Sequence, residues 1–110
     1  LYRIEKVNSL LTEEVAKILL KELEFPRGVL VSVTHAEATP DMREAKIFIS
    51  VLPFEKHPRI LEILGKNIYW IQQILNKRLV MRPMPKIIFK IDSSIEEMDN
   101  LNRLLLNNDK

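Results

Sequence analysis

Ile60, Leu64, Ile68, Ile71, Leu75 and Leu79 recur at spacings of 4, 4, 3, 4 and 4. At about 100° per residue they fall on one stripe, so this stretch reads as an amphipathic helix with one side turned to a core. Everything else in the chain has to cover that stripe. No acidic residue occurs between Glu62 and Asp92, whereas Lys66, Lys77, Arg78, Arg82, Lys86 and Lys90 all lie there. Residues 1–62 hold nine Lys/Arg against ten Asp/Glu, residues 63–91 six against none, and residues 92–110 two against five. The whole chain carries a formal charge of only +2, so its positive charge is concentrated in one segment, the arrangement that attracts a polyanion.

Lys66, Trp70, Gln73 and Lys77 fall opposite or beside the apolar stripe, three or four residues apart. An indole flanked by ammonium groups can stack on a base while the lysines meet phosphates. With Ile63 and Ile74 beside it, Trp70 can equally widen the apolar stripe as part of the core, and both readings stand. Gly65-Lys66-Asn67 offers two readings as well. Gly65 can end one helix and Asn67 cap the next, leaving free N–H groups at a kink where a phosphate can sit. The alternative is an unbroken helix carrying a glycine that costs about 1 kcal/mol relative to alanine.

The flanking elements follow from periodicity. Ile4, Val7, Leu11, Val15 and Ile18 predict a helix over residues 3–24, ended by Pro26 with a flexible turn at Gly28. Val31 and Val33 alternate with Ser32 and Thr34, after which the apolar positions shift phase to Ala36 and Ala38; a bulge near Thr34 or His35 keeps both halves facing the core. Thr39-Pro40-Asp41 breaks that strand, and Ala45, Ile47, Ile49 and Val51 form a second, antiparallel to the first. Pro58 suits the first turn of the long helix, and Arg82-Pro83-Met84-Pro85 lies beyond its end. Ile87, Phe89 and Ile91 mark a third strand. Ser94 and Glu97 form a capping box for a short last helix through Met98, Leu101 and Leu105, expected to pack over or beside the domain.

The 110 residues, 46% hydrophobic, suit one domain with one core, ending in a polar, frayed tail from about residue 107. With no cysteine there is neither a disulfide framework nor a thiolate metal site. No apolar run approaches a membrane span and no signal-peptide core is present, so the chain is expected to be soluble, unexported and cytoplasmic. His35 and His57 make no metal-binding motif, and no nucleophile elbow, glycine-rich phosphate loop or dinucleotide fingerprint exists. Neither catalysis, a metal nor a cofactor is expected.

Four stretches carry a likeness to a known family: Arg3-Ile4-Glu5-Lys6-Val7-Asn8, the hairpin from Val33 to Ile47 with Thr39-Pro40-Asp41-Met42-Arg43-Glu44-Ala45-Lys46 at its centre, Leu75 to Arg82, and Pro85 to Ile95. In order and spacing the chain resembles the ribosome-binding factor A family. The resemblance implies an α+β fold, a single type II KH-like domain: helix, strand, strand, helix-kink-helix, strand and a short C-terminal helix, with helices backing a three-stranded sheet. It implies an assembly factor without enzymatic activity, which binds the small ribosomal subunit and its ribosomal RNA late in maturation, supports RNA processing, and matters most in the cold. The family's Ala-x-Gly at the kink is replaced by Asn67-Ile68-Tyr69, so the element is carried over without that glycine's role.

The residues expected to meet RNA are Lys66, Asn67, Trp70, Gln73, Lys77, Arg78, Arg82, Lys86 and Arg43. Guanidinium forks at Arg78 and Arg82 suit phosphates, while Arg43 has a local pair with Asp41 as its alternative. The free protein is expected to be a monomer. The competing function is a protein-interaction module that holds an acidic partner through the Trp70 face or the last helix.

Overall fold

The stripe of the first helix forms as expected: the computed structural model, which describes residues 3–108, has α1 at Ile4–Glu22 with Val7, Leu11, Val15, Ile18 and Leu19 buried. Leu23 is already extended, and Gly28 takes a φ of +78° in the turn that follows. β1 (Leu30–Ala38) and β2 (Glu44–Leu52) pair antiparallel, Val33 opposite Ile49 and His35 opposite Phe48. Thr34 is left out of that register, which is the bulge the change of phase demands. It keeps Val31 and Val33 on the same face as Ala36 and Ala38, packed with the core.

A 3₁₀ turn at Phe54–Lys56 leads into α2 (His57–Arg78), and the chain then returns as β3 (Lys86–Ile91), parallel to β2 from Glu44 opposite Lys86 to Ile49 opposite Ile91. Parallel strands need a long crossover, and α2 is that crossover. The sheet order is β1-β2-β3, with α1 packed on β1 and α2 on β3. On the central strand, Ala45, Ile47, Ile49 and Val51 are at most 1% exposed, and they meet Leu11, Ile60, Leu64, Ile71 and Leu75 in one core.

Three expectations change. First, α2 runs unbroken through Gly65-Lys66-Asn67, so there is no helix-kink-helix with a second N-terminus. The Asn67 side chain, rather than capping, donates through Nδ2 to the carbonyl of Ile63 at 2.8 Å. Four turns of apolar stripe, buried against the sheet, outweigh one glycine's propensity cost. A Cβ added at Gly65 meets nothing within 4 Å. Replacing Gly65 with alanine therefore stabilises the protein by about 1 kcal/mol in chemical denaturation; a loss of stability would show that the glycine is needed for a bend.

Second, the cap of α3 (Ser94–Asn108) lies one residue earlier than expected. The Ser93 hydroxyl donates to Glu97 Oε1 at 2.9 Å, and Asp92 Oδ1 accepts from the Ser94 N–H at 3.0 Å. Third, α3 does not pack on the domain: Met98, Leu101, Leu104, Leu105 and Leu106 are all 50–69% exposed. Periodicity gives a helix an apolar face, but the helix-bearing side of the sheet is already occupied by α1 and α2. The helix also takes in Asn107 and Asn108, where a frayed tail was expected; Asp109 and Lys110 lie outside the described residues.

Candidate nucleic-acid interface

Because Ile60, Leu64, Ile71 and Leu75 are driven into the core, the 3.6-residue repeat turns Lys66, Trp70, Gln73 and Lys77 outward together. Trp70 is 47% exposed, so the indole is not consumed by the core, and its neighbour Tyr69 is 76% exposed. These are the features of a stacking surface flanked by cations. Lys77 makes no ion pair among the described residues.

The absence of acids from residues 63–91 does not leave every cation free. Glu62, one turn upstream, accepts from Arg59 at 2.6 Å and lies 3.5 Å from Lys66. Glu14 of α1 reaches Arg78 at 3.8 Å. Arg78 therefore leans toward α1 instead of joining the outer face. The pairs on Glu62 are exposed at both ends and worth about 0–1 kcal/mol, so they exchange readily for a phosphate. Asn67 commits one Nδ2 hydrogen to its own helix, at the Ile63 carbonyl.

The remaining expected residues sit elsewhere. Arg82 is exposed in the loop after α2, and Lys86 opens β3. The Lys86 N–H donates to the carbonyl of Arg43 at 2.9 Å, which brings those two residues together at one end of the sheet. Arg43 is 84% exposed, and its Nε is 3.8 Å from Asp41 Oδ2. Its turn is firmly built: Asp41 accepts from the Thr39 hydroxyl at 2.6 Å and from the Arg43 N–H at 3.1 Å. Those hydrogen bonds, Thr39's foremost, hold the Asp41 carboxyl below its usual range.

Sequence reasoning missed Gln72. Its Oε1 accepts from the Ile87 N–H at 2.9 Å and its Nε2 donates to the Pro85 carbonyl at 3.1 Å, so one amide clamps α2 to both sides of Lys86. A glutamine on a helix carries no mark of such a long-range role. Among the described residues there is no cluster of three or more His, Asp or Glu side chains able to hold a metal ion, and no helix is long and apolar enough to cross a membrane.

A sequence model of the family ribosome-binding factor A matches residues 3–105. The chain belongs to that family. The ribosome-binding factor A of Thermomicrobium roseum is 36% identical over 105 residues, covering 94% of this chain and 81% of that protein. The one from Nitrosococcus oceani is 35% identical over 104 residues, covering 94% and 82%. Among solved structures, the crystal structure of ribosome-binding factor A from Thermus thermophilus superposes with a TM-score of 0.71 at 21% identity, over 82% of this chain and 97% of that one. A homology model of the Thermus thermophilus factor, fitted into a cryo-EM map of a 30S complex, gives a TM-score of 0.65 at 21% identity, over 78% and 91%. The fold is thus the family's KH-like arrangement, built here with an uninterrupted α2.

Proposed function

We propose that this chain is a single-domain, cytoplasmic assembly factor that binds the small ribosomal subunit through its ribosomal RNA during maturation, without catalysing a reaction and without a cofactor. Family membership supports the small subunit as partner, and a Thermus thermophilus relative has been fitted into a map of a 30S complex. The observation that carries the RNA reading is the outer face of α2: a half-exposed Trp70 between Lys66 and Lys77, with Gln73 alongside. Arg78, Arg82, Lys86 and Arg43 add cations at the helix end and the sheet end. Affinity from such a surface is mostly electrostatic, so binding falls steeply with salt as counterions are released from the phosphates.

Sedimentation with mature and immature small subunits at two salt concentrations tests this. The protein travels with the immature particles at low salt, is shed at high salt, and is released when the exposed RNA is digested. Binding that survives both salt and RNA digestion would instead mark a protein partner.

A further inference from the structure

The bulge in β1 has a consequence on the opposite flank of α1 from α2. By omitting Thr34 from the ladder, it aims His35 at Phe48, and the two rings stack with centroids 4.4 Å apart and planes 6° apart. The imidazole is fixed from several sides. The Thr34 hydroxyl donates to Asp92 Oδ2 at 2.8 Å and lies 3.0 Å from His35 Nδ1, while Nε2 is 3.5 Å from Glu37 Oε1. The Ser94 hydroxyl and N–H, with the Thr34 hydroxyl, hold the Asp92 carboxyl below its ordinary value, so it stays an anion that anchors this arrangement. Despite these contacts the His35 side chain is 46% exposed.

His35 borders a cleft of about 380 Å³ at the edge of β1, together with Thr34 and Ala36 and with Asn8, Ser9, Thr12 and Glu13 of α1. That volume falls in the range of small-ligand sites, about 300–1,000 Å³. β1 is an edge strand, and Asn8 Oδ1 accepts from the outward-facing N–H of Ala38 at 2.8 Å. By the two-residue alternation of a strand, the N–H and C=O of Ala36 are turned outward as well. A flat ring, a backbone donor and acceptor at Ala36 and the Ser9 hydroxyl match what a splayed-out base requires; the Thr12 hydroxyl already donates to the Asn8 carbonyl at 2.7 Å. Glu13, whose Oε1 lies 3.4 Å from Lys17 Nζ, offers a carboxylate acceptor to an exocyclic amine. We propose that this cleft holds one unpaired, amino-bearing nucleobase of single-stranded RNA, stacked on His35.

The site deepens the ribosomal RNA reading and rests on it. At 100° per residue, the slot residues of α1 and Glu14, the partner of Arg78, lie on opposite sides of the buried stripe. An RNA strand leaving the end of α2 crosses the exposed side of α1 to reach the cleft.

The test uses a short single-stranded oligoribonucleotide carrying 2-aminopurine, whose fluorescence is quenched by stacking, with the intact protein, His35→Ala and His35→Phe. The intact protein quenches the probe, and RNA titration moves its His35 ring-proton resonances. His35→Ala loses the quenching and binds roughly tenfold more weakly, the scale of one lost stacking contact, with the salt slope unchanged; His35→Phe restores both. If His35→Ala quenches and binds like the parent, or the His35 resonances stay still at saturating RNA, the slot is wrong while binding to small subunits stands. If the intact protein binds neither the probe nor small subunits at low salt, the RNA reading falls and the slot with it.

Discussion

Replacing Ile71 with alanine lowers the stability of the protein by about 2–5 kcal/mol, read from a urea or thermal transition. Ile71 is fully buried near the middle of the α2 stripe, in the same core as Ile47, Ile49 and Leu11. Domains of this size have only about 5–15 kcal/mol to lose, and at roughly 4–8 °C per kcal/mol the midpoint drops by about 10 °C or more. Leu20, 84% exposed on α1, is the matched control: its replacement by alanine shifts stability by no more than about 0.5 kcal/mol. Equal effects at the two positions would mean that the α2 stripe is not what holds the helix to the sheet.

Replacing Lys77 and Arg78 together with alanine weakens association with small subunits while leaving the fold intact. Each lost phosphate contact reduces the slope of log affinity against log salt by about 0.7–0.9, so two contacts cost roughly 10- to 100-fold near 0.1 M salt. Neither residue is buried, and the pair between Arg78 and Glu14 is long at 3.8 Å, so stability changes little. The measurement is a binding isotherm at several salt concentrations beside a melting curve. An unaltered slope would place both side chains outside the contact surface.

The local patterns carried much of the fold. The phase change between Val33 and Ala36 located the bulge, the prolines at 26 and 83 bounded the two long helices, and the stripe from Ile60 to Leu75 identified the buried face of α2. What was illegible depends on contacts between distant segments. Nothing local makes β3 run parallel to β2, ties Gln72 to the strand that carries Lys86, or brings Glu14 to Arg78. An acid-free segment is a statement about sequence neighbours, and Arg78 finds its counter-charge on another helix. At Gly65 the chain offered two answers because propensity weighs a single residue, whereas continuity was decided by the packing of the whole helix. The apolar residues of α3 show the reverse limit: a periodic face says that something can be covered, and not that this chain covers it.

The uninterrupted α2 makes the outer face behave as a ruler. At about 1.5 Å per residue, Lys66 and Lys77 stand some 16 Å apart along a rod that has no hinge to adjust that interval. On the proposed RNA reading, a phosphate backbone must bring its own charges to that separation, so the stiffness of the helix makes the spacing of phosphates, and not only their charge, part of what is recognised.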